Sequence, residues 1–254
     1  MKTMRKIRVI GIGAGHPEQI TIQAINAINQ TDVLFITDKG ADKDDLVRFR
    51  REIIARYAPD KQFRVIQIAD PARDRNPRNY QTAVETWHEQ RAALYESLFQ
   101  EHLQPTESGA FLVWGDPSLY DSTIRILEQI KARSTIPLEF EVIPGITSIQ
   151  ALTASHAIPL NQIGAPVQIT TGRLLAANPP TLDTVVMLDG ECAFNTVKDP
   201  EMEIYWGAYL GTAHEVLVSG KLGPTAGKIQ KLREAQRQRQ GWIMDTYLLR
   251  KPRL

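Results

Sequence analysis

The stretch that most constrains the fold joins a short apolar run at residues 7–12 to an amphipathic pattern at 20–28 through three glycines. The apolar run is rich in β-branched residues and predicts a buried strand. Gly11, Gly13 and Gly15 alternate along the turn, where glycine tolerates positive φ and lets a ligand reach the backbone. Pro17 stands where a helix is expected to begin, and the apolar spacing beyond it has a helical period. Strand, glycine turn and helix together open an α/β ligand-binding domain.

This glycine turn leaves three interpretations open. Gly11 and Gly13 match the dinucleotide fingerprint GxGxxG, but His16 occupies the place of its third glycine. Asp38, at the end of the next apolar run, is positioned to bind a ribose. A nicotinamide or flavin site, a site for another nucleotide-type ligand and a tight structural turn are all compatible with this segment.

Composition narrows the class of protein. The 254 residues suffice for one large domain or two small ones, and 43% hydrophobic residues support a sizeable core. A net charge of +1 creates no general attraction to nucleic acid or membrane. The single cysteine, Cys192, excludes an internal disulfide and a thiolate metal site. We therefore expect a cytoplasmic protein with no metal, no nucleic-acid partner and no membrane span.

The first part of the chain alternates apolar runs with helical patterns. The runs at 7–12, 33–36, 63–68, 110–114 and 140–143 predict five strands, and the helices between them imply a parallel sheet covered on both faces. One long helix is expected from Tyr80 to about Leu103. Its predicted apolar stripe consists of Ala83, Trp87, Leu94 and Leu98.

The pattern changes after about residue 157. Short strand-like segments follow at 167–170, 184–188, 202–209, 215–219 and 242–249, with one basic helix near 228–239. We expect an α/β protein of two α/β domains, a parallel one over 1–157 and a mixed one over 158–254. The charge run of the basic helix is interpreted as a solvated face, because neither aromatic residues nor a wider basic stripe accompany it.

Three strand ends at one edge of the predicted parallel sheet carry unusual chemistry. Ligands of open α/β sheets bind beyond the carboxyl ends of the strands, and glycine-rich turns follow the first, fourth and fifth strands here. Asp116 in the second turn offers a carboxylate to an amine or a ribose. Thr147 and Ser148 in the third offer hydroxyl groups beside a helix start. Each feature alone is common in turns and caps, but together they predict a ligand site.

These three turns carry the motifs of a known family. GxGxGxPExxT lies at 11–21, GDPxxY at 115–120 and PGITS at 144–148, in the expected order along nearly the whole chain. The sequence resembles the tetrapyrrole (corrin/porphyrin) methylases. The resemblance implies two α/β domains, S-adenosylmethionine bound in the cleft between them, a small-molecule tetrapyrrole substrate and a homodimer. It also argues against a nicotinamide site at the glycine turn after the first strand.

Three further segments, at 71–91, 187–190 and 207–222, are similar to family members of cobalamin biosynthesis. That similarity implies methylation of precorrin-5 at ring carbon 1 with release of its acetyl group as acetate. One departure is His16, where the family usually has Asp. The alternatives are another tetrapyrrole-ring methylation of the same family, methylation of a macromolecular target and, in a different class, a non-catalytic nucleotide sensor.

The resemblance also implies roles for individual residues. It assigns eleven positions to cofactor binding: Gly13, Ala14, Gly115, Asp116, Leu119, Thr147, Ser148, Asp189, Leu210, Gly211 and Thr212. The deacetylation requires water to attack the acetyl carbonyl with the help of a base, and the sequence does not identify that base. His16 and Asp116 are candidates by location only.

A proline-rich segment after the third strand contains Arg73, Arg75 and Arg78. Precorrins carry several carboxylates, and arginine binds carboxylates through paired hydrogen bonds, so these arginines are hypothesised to bind the substrate. The alternative is a solvated loop in which Asp70 and Asp74 neutralise them.

Overall fold

A computed structural model describes residues 4–38, 44–72, 78–133 and 135–251, although the side chains of 38 and 44–46 lie outside that description. The chain divides into two compact units. The N unit contains the residues up to Gly13 and Pro17–Ile146, and the C unit contains Ala14–His16 and the chain from Thr147 onward.

The N unit contains the predicted parallel sheet. Its strands are β1 (Arg5–Gly11), β2 (Val33–Asp38), β3 (Arg64–Ala69), β4 (Ser108–Val113) and β5 (Leu138–Ile143). All neighbours pair in parallel, in the order β3-β2-β4-β1-β5. The chain leaves β1 toward β2 and leaves β4 in the opposite direction toward β5. The strand order therefore reverses between β1 and β4, which is where α/β sheets bind ligands.

In the described part of the N unit, four helices cover this sheet: α1 (Ile22–Asn29), α2 (Asp44–Tyr57), α3 (Tyr80–His102) and α4 (Thr123–Arg133). The prediction that the first helix begins at Pro17 is wrong. Pro17–Gln19 forms a separate 3₁₀ turn, and Thr21 caps α1 by accepting a hydrogen bond from the Ala24 amide at 3.0 Å. A threonine side chain satisfies an amide of the first helical turn, whereas Pro17 only fixes its own φ angle.

The buried stripe of α3 also differs from the predicted one. Arg91, Ala92, Tyr95 and Phe99 are its buried residues, while the predicted Leu94 and Leu98 lie at the margin of the core. Tyr95 and Phe99 pack with aromatic rings of β2 and β4, which centres the buried face on them. Leu94 and Leu98 do have helical spacing, but the neighbouring Tyr95 and Phe99 form the face of α3 that packs into the core.

The C unit contains the predicted mixed sheet. Its strands are β6 (Val167–Thr171), β7 (Asp183–Met187), β8 (Glu203–Ala208), β9 (Val216–Lys221) and β10 (Asp245–Arg250), in the order β6-β7-β10-β8-β9. Only the pair β6–β7 is parallel. Its helices are α5 (Ser148–Ser155), the short unpredicted α6 (Gly172–Ala177) and α7 (Leu222–Gln240).

By its contacts the helix α5 belongs to the C unit. The domain boundary expected near residue 157 stays a prediction. Its last turn is held there by the His156 ring, whose Nε2 lies 3.1 Å from the carbonyl oxygen of Trp206 in β8. This contact ties the end of α5 to the mixed sheet.

The basic helix α7 has two different faces. Lys228, Lys231, Arg237 and Arg239 are exposed, as expected for a solvated face. Arg233 instead is buried and pairs with Asp245 at 2.9 Å. Within the described ranges, no helix is long and apolar enough to cross a membrane.

Candidate functional site

Direct hydrogen bonds join the parts of the three motif-bearing turns that belong to the N unit. Gly13 and Gly115 form an isolated bridge, in which the Gly115 amide donates to the Gly13 carbonyl at 2.8 Å. The Gly145 amide donates to Oδ2 of Asp116, also at 2.8 Å. The ends of β1, β4 and β5 therefore form one connected cluster, as the sequence predicted for this edge.

Glycine at position 145 is required by this close approach. A Cβ atom there would lie 2.2 Å from the Gly115 carbonyl oxygen and 2.8 Å from the Gly11 carbonyl carbon. Both neighbours are backbone atoms, which cannot rotate away. The three turns can therefore meet only while residue 145 has no side chain.

Asp116 holds this cluster together. Its Oδ1 accepts hydrogen bonds from the amide and the hydroxyl of Ser118, and its Oδ2 accepts from Gly145. Burial raises the pKa of this carboxyl, but the hydrogen bonds from Ser118 and Gly145 outweigh burial and leave the pKa below its ordinary value. Asp116 is thus an ionised residue whose two oxygens are both engaged within its own unit.

The β4 loop, defined here as residues 115–122, continues from this anchor. Leu119 is half-buried, and its amide donates to the Asp116 carbonyl at 3.2 Å. Tyr120 has a φ of +53° and is 45% exposed. A non-glycine residue in this left-handed region is strained, and such strain persists where surrounding contacts fix the backbone.

In the C unit, the segment Ala14–His16 packs on the turn that follows β8. Gly15 has a φ of +151°, and a Cβ atom there would lie 2.5 Å from the carbonyl oxygen of Leu210. The turn is closed by Thr212, whose amide and hydroxyl donate to the Tyr209 carbonyl at 3.0 and 2.7 Å. Gly211 donates to Glu215 at 2.7 Å. Ala14, Leu210, Gly211 and Thr212 are thereby brought together, with His16 exposed beside them.

Thr147 and Ser148 make different contacts within the C unit. Thr147 is the N-cap of α5: its Oγ1 accepts from the Ile149 amide at 3.1 Å, and its own amide donates to Gln150 at 3.0 Å. The Ser148 hydroxyl accepts from Thr246 Oγ1 at 3.1 Å. The Thr147 hydroxyl thus serves as a cap, and the Ser148 hydroxyl faces β10.

Asp189 is buried, and both of its carboxylate oxygens accept hydrogen bonds. Its Oδ1 accepts from the Glu191 amide at 2.9 Å, and its Oδ2 accepts from the Ala193 amide and the Tyr247 hydroxyl, both at 2.7 Å. Burial and the adjacent Asp189 carboxylate raise the pKa of Tyr247, which remains a hydrogen-bond donor. The side chain of Asp189 fixes the turn after β7.

That turn presents a residue that sequence reasoning missed. Leu188, directly before Asp189, has a φ of +52° and is 66% exposed. From residue type alone, a leucine is expected to be buried and an aspartate exposed. Here the leucine is exposed and the aspartate is buried. The signal available in the sequence was an apolar residue between a strand and an aspartate, which is too common to be diagnostic.

Of the three arginines proposed to bind the substrate, the structure describes only Arg78. Arg73 and Arg75, like Asp74, lie outside the described residues, and Arg78 is exposed just before α3. Asp70, the suggested neutralising partner, accepts a hydrogen bond from Arg91 Nε at 3.0 Å. Arg91 is therefore a second residue that sequence reasoning did not single out for a role.

Comparison with known proteins identifies the class. The family model of the Tetrapyrrole (Corrin/Porphyrin) Methylases matches residues 6–225, and the chain belongs to this family. It is 55% identical over 250 residues to precorrin-6A synthase [deacetylating] of Sinorhizobium sp, covering 98% of this chain and 96% of that protein.

Solved structures agree with this assignment. A cobalamin synthesis related protein (CobF) from Corynebacterium diphtheriae is 39% identical, with a TM-score of 0.82 over 97% of this chain and 98% of that one. Uroporphyrin-III C-methyl transferase from Thermus thermophilus, complexed with S-adenyl homocysteine, is 16% identical with a TM-score of 0.60, covering 96% of this chain and 92% of that one. The latter likeness concerns the fold alone.

Proposed function

We propose that this protein is an S-adenosylmethionine-dependent C-methyltransferase that converts precorrin-5 to precorrin-6A. It methylates ring carbon 1 and releases the acetyl group as acetate. The observation that carries the proposal is the 55% identity to a deacetylating precorrin-6A synthase along nearly the full length of both chains. The connected turns of β1, β4 and β5 support it, because they occur where this fold binds ligands.

S-adenosylmethionine supplies an electrophilic methyl group on its sulfonium. The electron-rich ring of the substrate is its own nucleophile, so the protein mainly has to align the two carbons at about 3 Å. Positioning groups rather than a catalytic triad are therefore expected. The hydrogen-bonded turns of β1, β4 and β5 can provide such positioning, because their mutual contacts fix the backbone that faces the ligand.

In the N unit, we assign Gly13, Gly115, Asp116 and Leu119 to the cofactor site. The backbone at Gly13 and Gly115 lets a ligand approach closely, and Leu119 adds a half-buried apolar surface. Asp116 contributes by holding the turns and by its negative charge, which favours a cationic ligand. A polar amino-acid portion and an apolar adenine fit this mixture of groups.

In the C unit, we assign Ala14, Leu210, Gly211 and Thr212 to the cofactor, together with the Ser148 hydroxyl. The packing of residues 14–16 on the turn of 210–212 supports a joint role. Thr147 and Asp189 stay assigned to the same site. The Thr147 hydroxyl caps α5, and the Asp189 carboxylate fixes the turn after β7. The Ser148 hydroxyl accepts one hydrogen bond, from Thr246, and keeps its own proton to donate to a ligand.

We assign binding of the tetrapyrrole substrate to Arg73, Arg75 and Arg78. Acetate and propionate groups of the precorrin call for cationic partners, and the neutral balance of the whole chain means that a local cluster has to provide them. Arg78 is exposed and precedes the cap of α3, Asn79, whose side chain accepts from the Thr82 amide at 3.2 Å.

For acetate release, a base activates water toward the acetyl carbonyl. Asp116 is poorly suited because its lowered pKa and its engaged oxygens both weaken it as a proton acceptor. His16 is the candidate that we retain, because it is exposed and imidazole is the commonest general base of enzymes. We also propose a homodimer located in the cytoplasm, by analogy with the family.

The test is an incubation of the purified protein with precorrin-5 and methyl-labelled S-adenosylmethionine, followed by mass analysis of the tetrapyrrole. Transfer of one labelled methyl group to the ring is the expected result. Binding of the cofactor without transfer to any precorrin would instead favour a nucleotide sensor. Transfer to a different tetrapyrrole would assign the protein to another ring methylation.

A further inference from the structure

Arg91 lies in a buried cluster beneath the rear end of the β4 loop. Its guanidinium carbon is 4.6 Å from the ring centre of Trp87 and 5.1 Å from that of Tyr95, and its side chain is 7% exposed. Nε pairs with Asp70, Nη2 donates to the Tyr95 hydroxyl, and Nη1 donates to the Ser122 hydroxyl at 2.7 Å. One side chain thus joins the end of β3, the middle of α3 and the last residue of the β4 loop.

The hydrogen bond from Arg91 to Ser122 is unusual for a serine at the start of a helix. Ser122 is the N-cap of α4, since its carbonyl accepts from the Ile126 amide at 3.0 Å. A serine N-cap normally turns its hydroxyl onto an amide of the first helical turn. Here the hydroxyl accepts from Arg91, and Asp121 accepts the Thr123 amide at 2.7 Å instead.

Stability alone does not account for a buried arginine at this point. A buried ion pair contributes little net stability compared with apolar packing of the same volume, because both charges lose their hydration. What the three directed donors of Arg91 do provide is a unique geometry. They fix Ser122 relative to Asp70 and α3.

The β4 loop is consequently held at both ends. Near its N-terminal end, Asp116 accepts a hydrogen bond from Gly145. At its C-terminal end, which we call the rear, Ser122 accepts one from Arg91. Tyr120 lies between these anchors with its strained φ of +53°. A strained conformation of this kind persists only where its surroundings fix it.

We propose that Arg91 is a positioning residue for cofactor binding, which holds the rear of the β4 loop through the Ser122 hydroxyl. The inference rests on the proposed role of this loop in binding S-adenosylmethionine. It predicts that the Arg91–Ser122 hydrogen bond affects cofactor affinity more than it affects folding or substrate affinity.

The test compares Ser122→Ala with Ser108→Ala. Ser108 is a buried serine of the same unit, whose hydroxyl donates to the Gln30 carbonyl at 2.7 Å at the start of β4, at the opposite edge of the sheet. Each variant loses one hydroxyl and its hydrogen bonds. For Ser122→Ala we expect KM for S-adenosylmethionine to rise about three- to tenfold, with KM for the tetrapyrrole nearly unchanged. Ser108→Ala is expected to keep both values.

A second variant tests the partner. Arg91→Lys keeps the charge but cannot reach Asp70, Tyr95 and Ser122 together. Adding Ser122→Ala to it is expected to raise KM for the cofactor no further, because the contact is already lost. The inference is overturned if Ser122→Ala matches Ser108→Ala in KM for the cofactor, or if only KM for the tetrapyrrole changes. A wild-type protein that fails to bind S-adenosylmethionine in calorimetry would instead refute the proposed function itself.

Discussion

Replacing Gly145 by alanine is the sharpest perturbation of the connected turns. The new Cβ would lie 2.2 Å from the Gly115 carbonyl oxygen, whereas ordinary contacts begin near 3.4 Å. The turns would have to separate by about 1 Å, because the overlapping atoms belong to the backbone. The hydrogen bond from Gly145 to Asp116, now 2.8 Å long, would then stretch beyond useful length.

Two costs add in this variant. Overpacking of a closely packed site costs about 1–3 kcal/mol, and loss of a hydrogen bond to a charged group costs about 1.5–3 kcal/mol. We therefore expect Gly145→Ala to lose about 4 kcal/mol of unfolding free energy, or roughly 10 °C in Tm for a chain of this length. Affinity for S-adenosylmethionine is expected to fall at least about tenfold, since the β1, β4 and β5 turns no longer meet.

Thermal unfolding and titration calorimetry with S-adenosylmethionine measure both effects. Gly227→Ala is the matched control, because nothing lies within 4 Å of its added Cβ in α7. That substitution is expected to leave cofactor affinity unchanged and to add about 0.5–1 kcal/mol of stability, as alanine favours helix. A Gly145→Ala protein with wild-type Tm and cofactor affinity would refute the reasoning.

Three other predictions concern charged side chains. The lowered pKa of Asp116 means that its contribution to stability is complete above the unfolded-state pKa and is lost as pH falls through the lower folded-state value. Asp116→Asn should therefore lower Tm at neutral pH, and the gap to wild type should shrink in acid melts; a gap independent of pH would contradict this. Asp189→Ala leaves three donors without their acceptor, two of them buried, and should cost about 3–5 kcal/mol in chemical denaturation, while a surface-like loss below 1 kcal/mol would contradict its buried role. Substituting alanine for Arg73, Arg75 and Arg78 together should weaken tetrapyrrole binding at least about tenfold and spare cofactor binding in parallel titrations; unchanged tetrapyrrole affinity would exclude these arginines as its site.

The sheets were predictable because their signals are local. Buried parallel strands appear as apolar runs, and glycine or proline marks the turns between them, so both sheets and the candidate turns could be located from the sequence. The helix α1 was placed too early because Pro17 suits a helix start, whereas the cap at Thr21 depends on local hydrogen bonding.

The remaining features depend on partners that are distant in the sequence. An arginine on an amphipathic helix is normally exposed, and Arg91 is buried only because Asp70, Tyr95 and Ser122 surround it. Asp189 likewise faces Tyr247, which is far away along the chain. Such roles depend on tertiary packing, so no local sequence pattern predicts them.

The most direct test of the central claim counts two products of one reaction. The protein is mixed with precorrin-5 and methyl-labelled S-adenosylmethionine, and ring-bound label and free acetate are quantified in the same sample. We predict one acetate for each methyl group transferred, with label on ring carbon 1. Methyl transfer without acetate would contradict the account and identify a methyltransferase of another tetrapyrrole step.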